Sequence, residues 1–125
     1  MKKIVFTENA PQAIGPYSQA VEINGMLFLS GQIPVDPSTG EFVKGGIAEQ
    51  TTQVFENIKS VLCAAGFTLD DVVKTTVFLS DMSLFSAMNA VYATYFTGDF
   101  PARSAVAVKE LPKGALVEIE CLAIK

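Results

Sequence analysis

The sequence predicts an α+β fold, a single sheet of about six strands with two helices packed on one of its faces. Three observations carry that expectation. Short apolar runs of strand length lie at both ends of the chain, and two longer segments repeat their apolar residues at three- and four-residue spacing. Between two of the short runs stands Asn24-Gly25, the strongest short signal for a two-residue hairpin turn.

Taken in order, Lys3 to Phe6 reads as a strand, followed by an irregular stretch from Ala10-Pro11 to Gly15-Pro16. Ala20 to Ile23 and Met26 to Ser30 form the hairpin around Asn24-Gly25. Pro34 to Gly40 is turn chemistry, and Gly45-Gly46 leads into a helix. Ile47, Val54, Ile58, Val61, Leu62 and Ala65 mark its apolar stripe, with Gly66 as the C-terminal stop. Val72 to Leu79 is β-branched and strand-like. Asp81 or Ser83 caps a second helix, whose stripe is Leu84, Phe85, Met88, Val91, Tyr92, Tyr95 and Phe96 and which ends before Gly98 and Pro101. Ala105 to Val108 and Ala115 to Ile124 are two more strands, expected to pair antiparallel through the turn Leu111-Pro112-Lys113-Gly114. Right-handed crossovers then place both helices on one face.

Met26-Leu27-Phe28-Leu29 is apolar on both sides of its strand, whereas a one-sided sheet alternates. The helices cover one face, so a second or third copy of the chain is expected on the other.

At 125 residues the chain fits one domain, 1–125, with no repeat, linker or low-complexity tract. A net charge of −4, with the lysines scattered, argues against a nucleic-acid partner. The apolar runs are too short to span a bilayer, and Glu8, Asn9 and Pro11 interrupt anything like a signal peptide. Cys63 and Cys121 are expected to be buried free thiols, which points to the cytoplasm. The chain has no histidine, no Cys-x-x-Cys, no G-x-G-x-x-G and no Walker-type loop. Histidine triads, the common zinc sites and nucleotide cradles therefore lack their residues. No metal and no cofactor is expected.

Polar residues among apolar neighbours remain as site candidates. Arg103 is the only arginine, and its planar fork can hold a carboxylate bidentately in a way a lysine cannot. It is equally a residue that could close a strand end. Glu118 and Glu120 alternate with Val117, Ile119 and Cys121 and so share a face, the pattern of a site or of a solvated surface. Whether Arg103 lies on that same face depends on a register parity left open by the sequence. Tyr17, Ser30, Gly31 and Asn89 are weaker candidates, each with an ordinary structural explanation.

Together these residues resemble the RidA/YjgF family of reactive-intermediate deaminases. The likeness runs through Asn9-Ala10-Pro11, Ala13-Ile14-Gly15-Pro16-Tyr17-Ser18-Gln19-Ala20, Ser30-Gly31-Gln32-Ile33-Pro34, Lys74-Thr75-Thr76-Val77-Phe78-Leu79, Pro101-Ala102-Arg103-Ser104 and Val117-Glu118-Ile119-Glu120. The resemblance implies a chorismate-mutase-like fold assembled as a homotrimer around a central β-barrel, with sites in clefts between subunits. It implies that Arg103 binds a substrate carboxylate and that Glu118 orients or deprotonates the attacking water. Tyr17, Ser30, Gly31 and Asn89 would line the pocket. Ala105 stands where many members have cysteine, which bears on pocket shape.

The implied activity is hydrolysis of the imines derived from 2-aminoacrylate and 2-aminocrotonate to 2-oxo acids and ammonia, without a cofactor. A non-catalytic 2-oxo acid binder and an RNA-directed translation inhibitor are the alternative readings. The first would need Arg103 but not Glu118, and the second meets an acidic chain.

Overall fold

The computed structural model describes all 125 residues and bears out the expected architecture, a sheet with two helices on one face. The sheet order is β1 (Lys3–Val5), β2 (Ala20–Ile23), β3 (Met26–Gln32), β8 (Val117–Ile124), β6 (Val72–Leu79), β7 (Ala102–Ala107). A small separate ribbon, β4 (Val35–Asp36) with β5 (Glu41–Phe42), forms where the sequence suggested only a turn.

Local chemistry accounts for most elements. Asn24 and Gly25 adopt φ of 52° and 76°, the left-handed pair that a tight hairpin with native twist requires, and Ile23 pairs with Met26 across them. Helix α1 (Ile47–Ala64) begins with the Glu49 carboxylate accepting the Gly46 N–H at 2.8 Å, and stops at Gly66 as expected. Asp81 caps the second helical segment by accepting the Ser83 N–H at 2.8 Å. That segment is shorter than its apolar stripe suggested: one 3₁₀ turn, Met82–Leu84, precedes α2 (Phe85–Thr94).

One expectation fails. The last two strands do not pair with each other; β7 runs parallel to β6 on its outer side, and β8 lies antiparallel between β3 and β6. The reason is helix width. A helix about 10 Å across covers two strand spacings of about 4.8 Å, so the β3–α1–β6 crossover leaves a gap in the sheet. β8 fills that gap beneath α1, and β7 is left at the edge.

The core lies between the sheet and the helices. Val54, Phe55, Ile58, Val61 and Leu62 of α1 pack with Met88 and Tyr92 of α2 over Leu27, Leu29, Val77, Leu79, Val117 and Ile119. The opposite sheet face carries Ile4, Phe28, Val106 and Ile124, each more than two-fifths exposed. Burial alternates along β3 while apolar character does not, as anticipated: Leu27 and Leu29 are inside, and the equally apolar Phe28 faces out. Cys121 is buried, and burial pushes its thiol up to about 12. Cys63 is a correction, because it sits on the outer side of α1 and is exposed. No helix is long and apolar enough to cross a membrane.

Candidate active site

The site begins at an irregularity in β3. Leu29 pairs with Cys121 and Gln32 with Ile119, three steps on one strand against two on its neighbour. The extra residue is a β-bulge at Ser30-Gly31, a device that re-aims side chains and backbone next to sites. The Ser30 hydroxyl donates to the Ser18 carbonyl at 2.6 Å, and the Gln32 side chain donates to the Ser30 carbonyl at 3.2 Å. The bulge is thereby tied on both sides.

Glu118 lies directly over Gly31. A Cβ at position 31 would stand 2.9 Å from Glu118 Cδ and 3.0 Å from its Cγ, closer than carbon atoms tolerate. Gly31 is therefore glycine because a carboxylate occupies the space of its side chain. Burial, and then the charge of Glu120, raise the Glu118 carboxyl above the usual carboxylate value. Arg103 is not among the charges acting on it.

A cavity of about 830 Å³ opens at this point, with Tyr17, Ser30, Gly31, Glu118 and Glu120 in its wall. Tyr17, Ser30, Gly31 and Glu118, four of the seven residues that the family resemblance assigned to the site, thus meet in one place. Loop 7–17 forms the opposite wall, and Gln19 holds it. Gln19 is buried; its amide nitrogen donates to the carbonyls of Thr7 and Pro11 at 3.0 and 2.8 Å, and its oxygen accepts the Thr7 N–H at 2.8 Å. Asn57, also buried in α1, donates to the carbonyls of Ile33 and Val35 at 3.1 and 2.9 Å and fixes the chain leaving the bulge. Sequence reasoning passed over both residues as site builders. Gln19 is a polar residue within the motif from Ala13 to Ala20, whereas Asn57 carries no signal that sets it apart from the other polar side chains of an amphipathic helix. Glu8 and Lys113 also reach the cavity and were not singled out.

The other three anticipated residues lie elsewhere in the chain. Arg103 pairs with Thr75, and Glu118 with Phe78, three positions further along β6 and so an odd separation. Their side chains consequently project from opposite faces of the sheet. Arg103 turns toward α2, where Nη1 donates to Asn89 Oδ1 at 2.7 Å. Its guanidinium carbon lies 4.7 Å from the Tyr92 ring centre and 5.4 Å from that of Phe85. Asn89 thus holds the arginine and does not line the cavity, and half-buried Ala105 packs against the core beside it. Nowhere does the chain gather a cluster of acidic, cysteine or histidine side chains able to hold a metal ion.

Known proteins are similar to this chain in sequence and fold. A family profile described as Endoribonuclease L-PSP matches residues 7–125. A RutC family protein of Pyrococcus horikoshii is 59% identical over 125 residues, covering 100% of this chain and 99% of its own. The 2-iminobutanoate/2-iminopropanoate deaminase of Mus musculus is 47% identical over 125 residues, 100% of this chain and 93% of its own. The crystal structure of E. coli TdcF with bound serine superimposes with a TM-score of 0.94 at 43% identity, covering 98% of each chain.

Fold and cleft together define an α+β domain with a glutamate seated on a sheet bulge. The chain belongs to the RidA/YjgF family, as its separated motifs suggested.

Proposed function

We propose that this chain is a cofactor-free imine deaminase that hydrolyses small 2-imino acids to 2-oxo acids and ammonia. The observation that carries the reading is Glu118, a carboxylate of raised proton affinity placed over Gly31 inside the cleft. A relative that bears the deaminase name at 47% identity supports it, and the serine held by TdcF has the same α-carboxylate as the proposed substrates.

The chemistry needs few groups. Ionised Glu118 accepts a proton from water as the water oxygen bonds to C2 of the imine. The carbon becomes tetrahedral, and the proton on Glu118 passes to the departing nitrogen. The hydroxyl proton of that intermediate then passes through Glu118 to the nitrogen as the C–N bond breaks, which releases ammonia and leaves the C=O of the 2-oxo acid. A base of raised pKa is the stronger acceptor, and positioned proton transfer of this kind contributes about 10²- to 10⁴-fold. Orientation of the carboxylate supplies the rest.

Arg103 is the group suited to that carboxylate, and it faces away from Glu118 within one subunit. The reading therefore includes a homotrimer in which Arg103 of one copy completes the cleft that carries Glu118 in the next. The apolar open face with Phe28 and Ile124 supports such assembly. Against the RNA-directed reading, Glu8, Glu118 and Glu120 line the cleft and would repel a phosphodiester.

The test is a coupled assay in which a lyase generates 2-aminoacrylate in situ and pyruvate release is timed. Acceleration above the spontaneous rate, abolished in Arg103→Ala, is expected. Pyruvate release at the spontaneous rate, with the protein folded, would refute the proposal.

A further inference from the structure

The surroundings of Arg103 hold more than a hydrogen bond. Tyr92 lies beneath the guanidinium at 4.7 Å and Phe85 at 5.4 Å, both within the range of cation–π attraction. Tyr92 is itself fixed: its hydroxyl shares a 2.6 Å hydrogen bond with Thr75 Oγ1, and Thr75 is 1% exposed. Phe55 meets the Tyr92 ring edge-on at 5.4 Å. Asn89 occupies Nη1, and no other side chain or carbonyl takes a guanidinium N–H. The Nε/Nη2 edge, the edge that grips a carboxylate side-on, is thus free, and the Tyr92 ring beneath the guanidinium is held by its own hydrogen bond and packing.

We propose that Tyr92 is a positioning residue, which with Phe85 holds the Arg103 guanidinium as a ready-made carboxylate receptor. This rests on the assignment of Arg103 to the substrate carboxylate. An arginine side chain left to itself samples many rotamers, and ordering it at the moment of binding weakens affinity. The ring faces remove that cost in advance. Core packing against Phe55 and Phe96 holds the ring with or without the Thr75 bond, and the ring holds the cation.

The lone arginine makes the test clean, because a ¹⁵N-labelled sample has a single arginine Nε–Hε correlation. In the parent protein that signal should stand away from its free-arginine position through the ring currents of Tyr92 and Phe85. Tyr92→Leu and Phe85→Leu should each return it toward the free position and weaken pyruvate binding, by about tenfold for Tyr92→Leu. Tyr92→Phe keeps the ring face and should keep both the signal and the affinity, even if its melting temperature falls.

A folded Tyr92→Leu protein with an unmoved signal and parental pyruvate affinity overturns the proposal. So does a Tyr92→Phe protein that loses affinity as Tyr92→Leu does, because the hydroxyl rather than the ring would then be responsible. Should Tyr92→Leu fail to fold, Phe85→Leu decides by the same two readouts. A parent protein that neither binds pyruvate nor hydrolyses the imine sinks the deaminase reading, while the Nε–Hε signal still reports whether Tyr92 holds the guanidinium.

Discussion

Glu118 is where the chain gives up stability for chemistry. Its carboxyl is raised above the ordinary value, first by burial and then by Glu120. A group raised in the folded state stabilises folding at low pH, and that contribution is lost as pH rises through the raised value. At neutral pH the ionised Glu118 therefore opposes folding. Glu118→Gln should melt at a higher temperature than the parent at pH 7, with the difference shrinking as the pH falls into the carboxylate range. Its turnover should fall by about 10²-fold or more, since glutamine is no base. Glu120→Gln should stay within about tenfold of the parent. It should also move the acid limb of the kcat/KM profile to lower pH, because a negative neighbour has been removed. Melting curves and pH–rate profiles of the two variants check these outcomes; a larger turnover loss at Glu120 reverses the roles.

Among the elements, the bulge in β3 has the sharpest consequence. Gly31→Ala puts a methyl group where Glu118 Cδ and Cγ now lie at 2.9 and 3.0 Å. The atoms in conflict belong to a side chain and not to backbone, so the carboxylate swings aside and the strand survives. Turnover should drop by about 10²-fold, while the melting temperature shifts by only a few degrees, about the effect of 1 kcal/mol in a domain of this size. Unchanged turnover in this variant would mean that the carboxylate works from some other position. The bulge itself was not legible in Ser30-Gly31-Gln32, because a bulge is a mismatch between two strands and the sequence shows one at a time. The same limit explains β7 and β8. Their existence follows from local pattern, but their places follow from the width of α1, which no window of residues contains. The hairpin at Asn24-Gly25 and the end of α1 at Gly66 are the opposite case, since one or two residues fix each conformation. Gln19 and Asn57 escaped because a buried amide earns its place only from carbonyls distant in sequence.

For the whole molecule, the prominent fact is a sheet with one face left open. Phe28, 45% exposed, stands among Ile4, Ile124 and other apolar side chains on that face. Patches of this kind on a single chain mark association surfaces. Light scattering at micromolar concentration should give three times the chain mass, with no folded monomer on dilution. A compact, stable monomer would remove both the assembly and the shared site.

The opposed faces of Arg103 and Glu118 have a genetic meaning. If each cleft takes its glutamate from one copy and its arginine from the next, two dead alleles can rescue each other. Arg103→Ala subunits still carry a working glutamate, and Glu118→Gln subunits a working arginine. Unfolded together in equal amounts and reassembled at random, they should recover about a quarter of parental activity, one intact cleft in every mixed ring of three. Either variant alone should recover none, and a double variant mixed with the parent should lower activity more steeply than simple dilution. Intragenic complementation of this pattern is a property of the ring, written into which face of the sheet each of two residues occupies.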